Sequence, residues 1–408
     1  MAQVRQHIGL PAVDTHQTFT GRGINVGMIE GGIVELNAAQ LGNVTIHRQF
    51  DQYLRQHATQ VARTFVGDKG IAPGVQALHS AVSGGDELFI NAINWILGAD
   101  ENGLSRNVRI INMSFSRVNS EGQYIWLASY IDWLTRNHNI TFVAAAGNGS
   151  VFEGTDLRPT PSPAIGYNVI AVASTNVNSN LSSYSSSGVP AYLNTRKPTL
   201  SAPGTWLEPT WIDGCCSRRQ FGRPLNHGCL GTSFASPVTA GVIARLMEEF
   251  PILRARPDMV KAALIASATP LPGQGDAWSN RAGAGRIHYG RARQAVQNAV
   301  GFEILHANGI GQTRVTHYIH VVPNARIRVA AAWHILDSWT AAAGCHANYE
   351  LRIRGTASYE NHRSNIQLLW HDTTTLRYAV DIIQRQNSFL FMQTWRHSRG
   401  TIAWVYDH

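Results

Sequence analysis

From residue 23 to about residue 298, short apolar runs alternate with stretches of helical spacing. Residues 24–29, Ile-Asn-Val-Gly-Met-Ile, read as a strand that ends in Glu30, Gly31 and Gly32. Residues 75–82 and 108–115 read as strands, and 141–146 and 168–173 as buried ones, apolar almost throughout. Residues 88–97 and 124–134 carry helical spacing, and 233–250 and 257–267 follow as two further helices. Strands that alternate with helices predict an α/β fold, a mainly parallel sheet with helices on both faces. In such sheets function gathers at the carboxyl ends of the strands. Glu30, Ser114 and Asn148 each fall at or just after the end of an apolar run.

After about residue 301 the pattern changes. Residues 313–322, 325–330, 349–354, 365–370 and 376–383 alternate polar with apolar positions and are rich in aromatic and β-branched side chains. Gly, Asn, Asp or Ser separate them, and no long helical pattern interrupts. That is the signature of an antiparallel β-sandwich, jelly-roll-like in texture. The expected division is 1–300 for the α/β domain and 301–408 for the sandwich. Without repeats or a low-complexity linker between them, the two are expected to pack closely.

The candidate chemistry centres on Gly231-Thr-Ser-Phe-Ala-Ser-Pro-Val-Thr-Ala-Gly241. Ser233 stands between a Gly-Thr turn and an apolar helix, with Pro237 expected in the first helical turn, where a missing N–H is tolerated. A serine there has free N–H groups and the helix dipole beside it, which suits a nucleophile next to a developing oxyanion. From the helix alone, a serine N-cap is the weightier reading of the position. The whole string, however, resembles the nucleophile motif of the subtilisin-like serine proteases.

That resemblance implies an order of carboxylate, histidine, asparagine and serine, and each has a counterpart. Gly23-Ile-Asn-Val-Gly-Met-Ile-Glu-Gly-Gly-Ile33 is similar to the family's carboxylate strand, with Glu30 where the family has Asp. Gln56-His57-Ala-Thr-Gln-Val-Ala-Arg63 is similar to its histidine motif, although Ala58 and Arg63 replace glycines. Phe142-Val-Ala-Ala-Ala-Gly-Asn-Gly149 resembles the oxyanion segment. The resemblance runs from about residue 12 to 298. It implies a serine endopeptidase with a Glu30–His57–Ser233 triad, and Asn148 with the Ser233 backbone N–H at the oxyanion. It further implies that Ser114, Phe115 and Ser116 line one wall of the primary specificity pocket, and Ala145, Ala146 and Gly147 the other. By the same resemblance Asp86 and Glu87 would fall at one rim of the substrate groove and favour basic side chains at non-primed positions beyond P1, although from the residues alone two exposed loop carboxylates is the stronger reading. Arg63 would reshape the back of the site. Two other readings share these residues: a catalytically silent binding module on the same fold, and a peptide ligase or transamidase.

Composition trims the alternatives. The chain has 408 residues, 44% of them hydrophobic and 15% charged, as in a compact globular enzyme. A formal charge of +8 comes from 31 Arg and 3 Lys dispersed along the chain. Without a basic stripe or a recognisable module, no nucleic-acid partner is expected. No run approaches the roughly 18 apolar residues of a membrane span. The expected partner is a peptide or protein substrate, with a protein partner through the C-terminal domain left open. No cofactor is required; calcium stays open, but residues 65–71, where the family often binds it, are short and hold one carboxylate. No metal site is expected. Cys215, Cys216 and Cys229, with His227 between, allow a disulfide, free thiols or a poorly spaced zinc site, and Cys345 is remote. The N-terminus lacks the apolar core of a secretory signal. The protein is therefore expected to be cytoplasmic if the chain is full length, and secreted if it is a processed mature form.

Overall fold

The computed structural model describes residues 1–37, 40–100, 103–117, 120–149, 158–190, 193, 195–207, 229–275, 277–306, 314–321, 323–334, 349–356, 359–360, 366–375, 377–384 and 396–407. Its centre is a seven-stranded sheet in which every neighbouring pair is parallel. In chain order the strands are β1 (Asn25–Glu30), β2 (Thr45–Arg48), β3 (Ala77–Val82), β4 (Val108–Met113), β5 (Thr141–Ala145), β6 (Ile170–Thr175) and β7 (Leu200–Pro203). In space they run β2-β3-β1-β4-β5-β6-β7, so the order reverses beside β1.

Side chains that alternate along each strand divide the core in two. Val26, Met28, Ile110, Val143, Ile170 and Val172 join one cluster. It is completed by helices α2 (Gln56–Val66), α5 (Thr232–Glu249), α6 (Pro257–Ser267) and α7 (Tyr289–Asn298). Ile29, Ile111, Met113, Phe142, Ala144 and Ala171 point the other way, against α3 (Asp86–Leu97) and α4 (Trp126–His138). A short helix, α1 (Ala2–His7), adds Val4 to the first cluster. Gly27 has no side chain because α3 lies too close: a Cβ there would come within 2.5 Å of Ile96 Cγ2.

The C-terminal region forms two four-stranded antiparallel sheets. Its strands are β8 (Val300–His306), β9 (Arg314–His320), β10 (Arg326–Trp333), β11 (Tyr349–Ile353), β12 (Tyr359–Glu360), β13 (Ile366–Asp372), β14 (Arg377–Gln384) and β15 (Arg396–Asp407). One sheet runs β8-β15-β10-β13 and the other β9-β14-β11-β12. Val329, Trp333 and Trp404 of the first meet Leu351, Val380 and Ile382 of the second in one core. The opposite face of the first sheet, with Ala330, Ala332, Ile366, Leu368, Ala403 and Val405, continues into the α6 and α7 side of the α/β core. The sandwich is thus docked by apolar packing, as close packing of the two regions requires. Arg256 reinforces the junction, reaching Asp258 at 2.6 Å and the Thr401 hydroxyl at 2.7 Å.

Pro237 lies further into its helix than the sequence suggests. Helix α5 begins at Thr232 and is capped by Gly231, whose φ of 149° suits glycine, so Pro237 falls in the second turn and Ser233 is not the N-cap. Cys215, Cys216, His227 and Cys345 lie outside the described residues, and Cys229 opens a two-residue strand paired with Thr205–Leu207.

Candidate active site

Glu30 ends β1 beside the point where the strand order reverses, and is 1% exposed. His57 is the second residue of α2, whose buried face (Ala58, Val61, Ala62, Phe65) anchors the helix in the core. The ring is thereby fixed over Glu30, with His57 Nδ1 3.0 Å from Glu30 Oε2. Glu30 Oε1 is buried without a hydrogen-bond partner among the described residues. The carboxylate therefore acts on the imidazole and on nothing else there. Burial opposes a charge on His57, but the Glu30 charge and hydrogen bond outweigh it and hold the histidine pKa above its ordinary value. A carboxylate on Nδ1 also selects the tautomer that leaves Nε2 free to accept a proton.

Ser233 sits in the first turn of α5, where backbone N–H groups lack helical partners. Pro237 has no N–H to give the Ser233 carbonyl. The Ser114 hydroxyl supplies the missing donor at 2.8 Å, and the Ser233 hydroxyl donates in return to the Ser114 carbonyl at 3.2 Å. Asn112 steadies this exchange: its Nδ2 donates to Ser114 Oγ at 2.9 Å, and its Oδ1 accepts from the Ser236 hydroxyl at 2.5 Å. No hydrogen bond joins His57 to Ser233 in this state; the His57 ring instead faces Phe234, with centroids 5.7 Å apart.

Asn148 follows β5 by three residues. Its Oδ1 accepts from both the Thr232 N–H and the Thr232 hydroxyl, each at 2.9 Å. A backbone N–H can only donate, so the oxygen of the amide is identified and its NH₂ end turns away from Thr232. The arrangement presents a donor next to the start of α5.

Glu30, His57, Ser114, Phe115 and Ser233 line one open cleft of about 690 Å³. Glu35, from the connection after β1, and Leu54 and Arg55, from the connection before α2, also line it; reasoning from sequence missed them, since neither connection carries a motif of its own. Other expected residues are placed elsewhere. Ser116 is exposed and outside this lining, while Ala145, Ala146 and Gly147 are buried and also outside it. Arg63 is buried in the last turn of α2, away from the cleft. Glu87 is exposed, and Asp86 is already compensated: it pairs with Arg117 and accepts from Trp126 Nε1 at 2.7 Å. Among the described residues no group of three or more His, Cys, Asp or Glu is arranged to hold a metal ion, and no helix is long and apolar enough to cross a membrane.

The family model of the subtilases matches residues 37–285. Over 271 residues the chain is 27% identical to the membrane-bound transcription factor site-1 protease of Rattus norvegicus, covering 62% of this chain and 24% of that protein. The chain thus spans about a quarter of that relative's length. It is 29% identical over 270 residues to subtilisin DY of Bacillus licheniformis, covering 62% of this chain and 87% of the other. Among solved structures, the prenylagaramide maturation protease PagA aligns with a TM-score of 0.50 at 27% identity, over 66% of this chain and 92% of its own.

Proposed function

The chain belongs to the subtilase family, and from that premise we propose that it is a serine endopeptidase working through Glu30, His57 and Ser233. The observation that carries this reading is the 3.0 Å contact between His57 and a fully buried Glu30 in the cleft that also holds Ser233. His57 Nε2 takes the Ser233 hydroxyl proton as Oγ forms its bond to the substrate carbonyl carbon. Glu30 steadies the imidazolium that results. The oxyanion is met by the Asn148 amide and the Ser233 backbone N–H. Collapse breaks the C–N bond, His57 passes its proton to the leaving amine, and an acyl-serine remains. Water, deprotonated by His57, then attacks the ester carbonyl and releases the acid and Ser233. The substrate is a peptide or protein segment, as the proteolytic relatives support.

The rival reading, a silent binding module, draws on the Ser233 hydroxyl, which donates to Ser114 and not to His57. Catalytic hydrogen bonds are often long or poorly aligned before substrate binds, so this resting arrangement does not decide against catalysis. A fluorophosphonate probe read by intact mass separates the two. Labelling of the wild type but not of Ser233→Ala is expected. A folded wild-type chain that takes up no label would contradict the proposal.

A further inference from the structure

A second cavity, of about 510 Å³, opens beside the edge strand β2 and shares no lining residue with the active cleft. Leu36, Ile46, His47, Arg48, Asp51, His79, Trp95 and Arg106 line it. The pairing of β2 with β3 sets His47 opposite His79, and their rings stack with centroids 4.8 Å apart and planes 12° from parallel. The Trp95 ring meets His79 edge-on, and the Arg106 guanidinium lies 4.3 Å over Trp95 while donating to the Trp95 carbonyl. His79 is 5% exposed, and its Nδ1 has no partner among the described residues.

The charges here are lopsided. Two of the lining residues, Arg48 and Arg106, carry guanidinium groups. The single carboxylate, Asp51, is 94% exposed and tied to Arg48 at 2.7 Å. Burial, with the charges of His47 and Arg106 nearby, pushes the His79 pKa down to about 4, so at neutral pH its ring keeps one N–H to donate. Burial also disfavours the charge on Arg106, a cost that an anion alongside would offset. A metal ion is a poor occupant. Stacked imidazoles hold their in-plane lone pairs parallel, so the two do not converge on one ion, and Arg106 repels a cation. The size is that of a small-molecule site, roughly 300–1,000 Å³, and the His47 and Trp95 rings with Ile46 and Leu36 give it an apolar flank.

We propose that this cavity is a second binding site, for a small oxyanion, carboxylate or phosphate, held by Arg48 and Arg106 with His79 beside them. Nothing in the proposed peptide cleavage uses it. The segment from Arg48 to Arg55 runs directly from its wall to the cap of the His57 helix, so the two sites are neighbours along the chain.

The test is calorimetric titration of the 408-residue chain at pH 7 and fixed ionic strength with inorganic phosphate, with citrate, and with zinc chloride. Saturable binding of phosphate or citrate at one site is expected, and which of the two binds tells a phosphate source from a carboxylate source. Arg48→Ala and Arg106→Gln should each weaken it about tenfold, the size of one lost charge-assisted hydrogen bond. Arg106 also holds the Trp95 carbonyl, so Arg48→Ala, on the edge strand, is the variant expected to fold in any case. Three results would overturn the proposal: no saturable binding of either oxyanion, binding unchanged in Arg48→Ala, or binding of zinc alone.

Discussion

The Ser114 hydroxyl donates to the Ser233 carbonyl at 2.8 Å, and the Ser233 hydroxyl donates to the Ser114 carbonyl at 3.2 Å. The reciprocal pair arises because Pro237 sits four residues after Ser233 and cannot make the helical hydrogen bond to that carbonyl. A side chain from the end of β4 thus completes the turn that carries the nucleophile.

Ser114→Ala should leave the Ser233 carbonyl short of a donor in a part-buried turn, at a cost of about 1–2 kcal/mol. Pro237→Ala restores a backbone N–H to the same carbonyl. Urea unfolding of the two single variants and the double variant should therefore show strong coupling, with most of the Ser114→Ala loss absent when residue 237 is alanine. Additive losses would show that the two residues do not share this carbonyl.

The raised His57 pKa has a definite sign in activity. Only the neutral ring accepts the Ser233 proton, so the acid limb of kcat/KM should lie above the ordinary histidine value of 6.5. In stability the same pair contributes fully below 6.5, and the contribution fades as pH rises through the raised folded-state pKa. Glu30→Gln removes the charge that outweighs burial, so whatever activity is left should show its acid limb at lower pH. A pH profile of kcat/KM for both proteins checks this.

Asn148→Ala should lower kcat by about 10²–10³, as loss of one oxyanion donor does, with a smaller change in KM. Thr232→Val keeps the donor but removes one of the two hydrogen bonds that aim it. It should therefore cost less than Asn148→Ala. Steady-state kinetics on one peptide substrate orders the two variants, and equal losses would point to collapse of the turn instead.

Asp86→Ala should leave any preference for basic residues unchanged, because Arg117 already answers the Asp86 charge. Profiling wild type and variant against one peptide library checks this. A selective loss of basic-residue cleavage would return Asp86 to the substrate groove.

The buried parts of the fold were the legible ones. β1, β3, β4, β5 and β6 announce themselves as apolar runs because helices cover both faces, and the sequence reading lands within two residues of most of their ends. β2 escapes it: at the sheet edge Thr45-Ile-His-Arg48 alternates in exposure and carries no apolar run. The β15 strand is missed because its first half, Arg-His-Ser-Arg-Gly, gives no sign that it pairs with both β8 and β10. At the site, Glu30, His57, Ser114 and Ser233 could be named from local motifs, and they do meet in one cleft. What those motifs could not convey are contacts between distant segments. The Arg117 partner of Asp86 comes from the loop after β4, not from α3, and the role of Pro237 emerges only when Ser114 arrives from β4.

The turnover number of Glu30→Gln beside wild type, with Ser233→Ala as the floor, shows whether Glu30 works through His57. Glutamine keeps the shape but neither holds the imidazole tautomer nor stabilises its charge. A fall in kcat on the order of 10⁴ is expected, comparable with a carboxylate-to-amide change in other triads. Wild-type-like turnover in Glu30→Gln would contradict it and remove Glu30 from the mechanism.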